Sequence, residues 1–198
     1  MRYTIYLMME IITIPHPTLR QKALPVTRVD KKLLTFLKNL GQTLTNTKNP
    51  RGVGLAANQV NKKIAVFSTL VATDLSKSPQ LRLFINPTII DRSEQTTIGL
   101  SASDKKPFEE GCLSMPKLYG AVPRSSWVKV TFDQVVGNEL STQTEVFENL
   151  AARVIQHELD HLRGVLFTDY SATTGLPVFK EINPDRWEEV DPKLLTLF

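Results

Sequence analysis

Apolar positions along the chain follow two different periods. Leu33, Leu37, Leu40 and Leu44 recur at helical spacing, with Leu34 and Phe36 widening the stripe, so the stretch from about Val29 to Thr45 is expected to be an amphipathic helix that ends before Asn49-Pro50. Short runs rich in β-branched and aromatic residues, Ile64-Ala65-Val66-Phe67 and Leu81-Arg82-Leu83-Phe84-Ile85, read as strands, the second stopped by Asn86-Pro87. Trp127–Phe132 and Thr144–Phe147 flank Gly137-Asn138, a hairpin pattern. Asn149 is the expected N-cap of a second helix that runs to Arg163, with Gly164 placed to end it. Ile11, Ile12 and Ile14 before Pro15-His16-Pro17 suggest an extended entry segment, and Gly52-Val53-Gly54 a glycine-rich loop.

Two stretches lack a period. Residues 91–109 are polar and read as an exposed loop. Residues 171–198 carry Pro177, Pro184 and Pro192 and are expected to be an irregular tail. Strands and two separate helices without regular alternation argue for an α+β fold. The expected organisation is one domain over residues 1–170, followed by the tail at 171–198. Residues 1–9 could be an N-terminal extension, since Met8 or Met9 could serve as the start.

Composition narrows the function classes. With 41% hydrophobic and 22% charged residues in 198, the chain is an ordinary globular protein. Its net charge of +4 is scattered, with no basic run of the kind a nucleic-acid arm uses. No stretch approaches the roughly 20 apolar residues that span a bilayer, and no secretory signal is evident, so a cytoplasmic location is expected. A single cysteine, Cys112, excludes an intramolecular disulfide and leaves one thiol for other chemistry.

The densest chemistry lies in His157-Glu158-Leu159-Asp160-His161. Imidazoles at i and i+4 share one helical face, so both can reach one ion, and Glu158 between them is placed to take a proton from water activated by that ion. Leu150 and Val154 occupy the same face, which points the histidines inward, where an unpaired imidazole is costly. The third ligand is open. The longer HExxHxxGxxH pattern matches at Gly164 but has Phe167 at the third histidine position. Glu181 is a downstream candidate, as in zinc endopeptidases, although Pro177 and Pro184 flank it. Cys112 is the better candidate, because a thiolate with two imidazoles is a sound set for Zn²⁺ or Fe²⁺ that leaves a position free for water.

Three ordered blocks, Gly52-Val53-Gly54-Leu55-Ala56-Ala57-Asn58-Gln59, Glu110-Gly111-Cys112-Leu113-Ser114 and Gln156-His157-Glu158-Leu159-Asp160-His161, resemble the motifs of the peptide deformylase family. Pro17-Thr18-Leu19-Arg20, Asn86-Pro87, Val122-Pro123-Arg124 and Gly164-Val165-Leu166-Phe167 add to the resemblance, which covers roughly Glu10 to Tyr170. It implies antiparallel or mixed sheets packed around a central HExDH helix, with a second helix near the N-terminus. It also implies metal-dependent hydrolysis of the formyl group from formyl-methionyl nascent peptides, releasing formate. The metal would be held by Cys112, His157 and His161, with Fe²⁺ favoured in the cell and Zn²⁺, Ni²⁺ or Co²⁺ able to replace it in isolated protein. Glu158 would be the general acid and base, and the Gln59 amide and Leu113 backbone N–H would face the developing oxyanion. Val53, Gly54, Phe108, Glu110, Gly111, Leu150 and Val154 would line the substrate site, and Asp160 would pair with Arg124 behind the ligands.

Three features depart from the family pattern. The polar segment at 93–108 is long, Arg153 stands where an apolar residue is common, and the tail has five acidic against three basic residues. A basic C-terminal helix of the kind that docks on ribosomes is therefore not evident, and a monomer is expected. The competing readings are an endopeptidase using Glu181 and a non-enzymatic protein with a closed structural zinc. His16 is left without a role.

Overall fold

Asp30 starts the first helix. Its carboxylate accepts the Leu33 backbone N–H at 2.8 Å, satisfying one of the free donors at a helix start, and α1 runs Lys31–Asn46. The structure, a computed structural model, describes residues 8–72, 78–101, 103–104 and 106–195, so most of the anticipated extension at 1–9 lies outside the described residues. Before α1, His16 caps a short 3-10 turn at Pro17–Arg20, its Nδ1 accepting from the Thr18 N–H at 3.2 Å.

The strands β1 (Gly54–Ala56), β2 (Val66–Val71) and β3 (Gln80–Arg92) follow. The third does not stop at Asn86-Pro87. Its pairing shifts register between Ile85 and Thr88, and Asn86 adopts a φ of 50°, so Pro87 falls in the irregularity where a missing donor is tolerated. Then come β4 (Thr96–Thr97), β5 (Glu109–Cys112), β6 (Met115–Ala121), β7 (Arg124–Ser125), β8 (Trp127–Val136) and β9 (Glu139–Glu148). The polar stretch at 91–109 is thus more ordered than its composition implies, because β4 pairs with β7 and Glu109 opens β5. The hairpin between β8 and β9 turns at Gly137-Asn138, with Gly137 at a φ of 63°.

The helix α2 (Asn149–Arg163) begins differently from expectation. Asn149 is its first residue rather than its cap, has a φ of 53°, and donates its N–H to the Ser126 carbonyl at 2.8 Å, so the adjacent strand end fixes the entry to the helix.

The tail is also structured. It contains α3 (Thr168–Thr174), β10 (Val178–Asn183), β11 (Arg186–Glu189) and α4 (Pro192–Leu195), so the expected boundary after residue 170 falls inside a helix. Its prolines punctuate elements rather than dissolve them. Pro177 precedes β10, Pro184 sits in the β10–β11 turn, and Pro192 occupies the first position of α4, where its missing N–H has no helical partner to lose.

Strand pairing is antiparallel. Besides the β4–β7 pair, one sheet has the order β1-β2-β3-β8-β9 and another β11-β10-β6-β5, so β1 and β5 are edge strands. Neighbouring residues on β2 and β3 face opposite helices. Phe67 and Phe84 stack at 4.7 Å and pack with Ala151, Ile155 and Leu159 of α2, while Val66 and Ile85 pack with Leu33, Leu37, Leu40 and Leu44 of α1. No helix among the described residues is long and apolar enough to cross a membrane.

The end of α2 is fixed by Gly164, at a φ of 76°, with the Arg20 carbonyl oxygen 2.4 Å from where a Cβ would stand. Gly164→Ala is expected to cost at least about 1–3 kcal/mol from the left-handed backbone alone, measured by urea unfolding. A loss below about 0.5 kcal/mol, the usual bound for neutral surface changes, would show that the chain relaxes around the contact.

Candidate active site

The helix α2 delivers His157 and Glu158 to one side of a cavity of about 270 Å³, the end of β5 delivers Cys112 to the same place, and His161 lies buried one turn further along the helix. The ligand atoms of Cys112, His157 and His161 lie within 4.8 Å of one another, with Cys112 Sγ 3.2 Å from His161 Nε2. His157 turns its other nitrogen away, placing Nδ1 3.0 Å from Glu110 Oε2. A carboxylate on the far nitrogen is the arrangement that fixes the ring and tautomer of a metal-binding histidine. His161 Nδ1 is buried with no protein partner among the described residues. Burial, aided by the positive charge of His157 and Arg124, pushes the His161 pKa well below the ordinary range and keeps the ring neutral. A neutral imidazole beside a thiol and a second imidazole fits one divalent ion. Glu181 does not join this group: it sits on β10 and accepts the Tyr119 hydroxyl at 3.3 Å, because β10 pairs with β6 rather than with the ligand helix.

Glu110 is the hub behind the ligands. Its Oε1 accepts from Arg124 Nε at 3.0 Å and Arg153 Nη1 at 2.7 Å, and its Oε2 accepts from Arg124 Nη2 at 2.9 Å as well as facing His157. Burial works against its charge, but Arg124 and His157 outweigh it and hold the carboxyl well below the usual range. Burial also opposes a charged His157, yet its contacts with Cys112 and Glu110 lift the pKa well above the ordinary value. Arg124 Nη1 reaches Asp160 Oδ2 at 2.5 Å, and the same oxygen accepts the Tyr170 hydroxyl at 2.9 Å. Tyr170 carries no motif signal. Glu110 sits two residues before Cys112 and lines the cavity together with its partners Arg153 and His157, while Arg124 holds it from behind.

Glu158 is buried, and burial pushes its carboxyl up to about 7, with His157 pulling the other way. Its Oε2 has no protein partner among the described residues. At Gly54 an added Cβ would stand 2.1 Å from Glu158 Oε1, so β1 must be bare there for the carboxylate to fit. Gln59 is held by its own backbone turn: its Oε1 accepts the Ala56 N–H at 2.8 Å, which aims Nε2 toward Cys112 Sγ at 3.5 Å. Leu113 lies in the turn after Cys112 and lines the cavity with Val53, Phe108, Gly111, Leu150 and Val154.

The residues 8–175 match the sequence profile of the polypeptide deformylase family. The chain belongs to that family. A peptide deformylase from Maricaulis maris is 37% identical over 162 residues, covering 81% of this chain and 83% of its own. One from Pseudothermotoga lettingae is 39% identical over 153 residues, covering 77% of each. Among solved structures, the Thermotoga maritima peptide deformylase is 34% identical with a TM-score of 0.67, covering 83% of this chain and 97% of its own. An Acinetobacter baumannii peptide deformylase with Met-Ala-Ser bound is 27% identical with a TM-score of 0.68, covering 83% and 99%. Peptide deformylases are hydrolases that remove the formyl group from nascent peptides, and the α+β fold is theirs.

Two of the departures from the deformylase pattern turn out to be one feature. Arg153 Nη1 also donates to the Val122 carbonyl at 2.8 Å, and its Nη2 donates to the carbonyls of Thr97 at 2.9 Å and Gly99 at 2.6 Å. Its guanidinium lies 5.7 Å from the Phe108 ring centroid. An arginine on the ligand helix therefore fastens the polar segment whose last residue, Phe108, lines the cavity. Its spacing from His157 was visible in sequence, but its acceptors are distant main-chain carbonyls and carry no motif.

Glu110→Gln is expected to weaken metal affinity by about 10–100-fold, measured by competition with a chelator, because His157 loses its oriented partner. Unchanged affinity would remove Glu110 from the metal centre.

Proposed function

We propose that this deformylase-family chain hydrolyses the formyl group from formyl-methionyl peptides, using a divalent ion held by Cys112, His157 and His161. The observation that carries the reading is the convergence of a thiol and two imidazoles on Glu158 and the Gln59 amide at the base of an apolar cavity. Such an ion, when bound, would lower the pKa of water toward about 7 and polarise the formyl carbonyl. Fe²⁺ is the proposed ion in the cell, and Zn²⁺, Ni²⁺ or Co²⁺ suit the same donors.

The protein side chains do the rest. Glu158 takes the proton from the water that attacks the formyl carbon and passes it to the departing methionine nitrogen, so that formate leaves and a free amine remains. The Gln59 amide and the Leu113 backbone N–H donate to the formyl oxygen as charge builds on it. The amide is held for this task because its oxygen is already committed to Ala56. Leu150, Val154 and Phe108 offer the apolar slot a methionine side chain needs, and Val53, Gly54 and Gly111 let the peptide backbone approach. The Acinetobacter relative with Met-Ala-Ser bound supports a peptide ligand of this size. Cys112 is a ligand here rather than a nucleophile, and a cytoplasmic location is proposed with this reading.

Glu158→Ala is expected to retain its metal and lose formate release from formyl-Met-Ala by about 10²–10⁴-fold. Cys112→Ala should lose the metal and activity together, and a chelator should abolish turnover of the wild type. Unchanged turnover in Glu158→Ala, or no formate from wild type loaded anaerobically with Fe²⁺, would overturn the reading.

A further inference from the structure

The match to the deformylase family ends at residue 175, so the hairpin β10–β11 lies beyond it. That hairpin extends the sheet that carries Cys112, because β10 pairs with β6, whose other neighbour is β5. An aromatic track runs across this sheet. Tyr119, on β6 and lining the cavity, lies opposite Gly111, and a Cβ on Gly111 would meet its ring at 2.8 Å. Trp187, on β11, stacks against Tyr119 with centroids 4.6 Å apart and planes at 29°, yet remains 43% exposed. The Tyr119 hydroxyl donates to Glu181, which fixes the ring. The track therefore starts one residue from a metal ligand and ends on a half-exposed indole.

We infer that Tyr119 and Trp187 form an added subsite for the peptide, one that receives a planar side chain, arginine above all, from the third or fourth residue of the substrate. The inference rests on the deformylase reading. An extended peptide advances roughly 3.3–3.6 Å per residue, so a residue two or three places beyond the formyl-methionine reaches past Gly111 to the rings. Arginine suits the place twice. Its flat guanidinium stacks on an indole face. The hairpin surface is also acidic: Arg186 is paired with Glu188, leaving Glu181, Asp185 and Glu189 against Lys180.

The test walks arginine through the third and fourth positions of formyl-Met-Ala-Ala-Ala and measures kcat/KM for each peptide relative to the parent, on the metal-loaded full chain. Wild type should favour arginine at one of these positions by about two- to fivefold, expressed in KM, the range of an exposed cation–π contact. In Trp187→Ala that ratio should fall to about one, while Trp187→Phe, which keeps a ring on Tyr119, should retain most of it. Because each ratio is taken within one variant, a general loss of fold or metal cancels. No arginine preference in wild type, or a preference that survives in Trp187→Ala, overturns the subsite. Failure to release formate from any of the peptides, including formyl-Met-Ala, overturns the deformylase reading itself.

Discussion

A carboxylate removed from water must be surrounded by donors, and the structure is organised around one that is. Glu110 is buried and takes two arginines and a histidine on its two oxygens. The partners come from two other parts of the fold. Arg124 comes from β7, Arg153 and His157 come from α2, and Glu110 itself comes from the strand that ends in Cys112. Removing any one partner from such a cluster leaves a buried charge uncompensated, which typically costs about 3–5 kcal/mol. The cluster thus does more than stabilise. It ties the ligand helix to the ligand strand, so that thiol and imidazoles meet at a set distance.

The parts of the fold governed by local period were legible in the sequence. The leucine stripe of α1 and the i, i+4 histidines of α2 state their face directly. The β8–β9 hairpin was visible because Gly137-Asn138 marks its turn. Where tertiary pairing decides, the sequence misleads. Asn86-Pro87 looks like a stop, but a register shift absorbs it within β3. The prolines of the tail look like disorder, but each falls at an element boundary. Asn149 has the chemistry of a cap, yet the neighbouring strand holds its backbone instead.

The candidate site divides in the same way. Cys112, His157, Glu158 and His161 announce themselves by residue type and spacing, and the structure brings them together. Arg153 was visible only as an exception, because its meaning depends on the carbonyls of Thr97 and Gly99, which no side-chain pattern encodes. A long polar segment and an arginine on the ligand helix are each odd alone. Together they are a segment and its fastening, since a buried guanidinium needs acceptors and carbonyls removed from water need donors.

The edge positions of β1 and β5 bear on what kind of reader this protein can be. Both strands end their sheets, and both reach the cavity through a glycine, Gly54 on one and Gly111 on the other. Main-chain donors and acceptors are the same in every polypeptide. A peptide bound along such edges, as the proposed function requires, would be gripped by what all proteins share, with only its first side chain checked closely. Such a device would then serve an entire proteome without a vocabulary of sequences, and any preference would have to come from elements added outside that common grip.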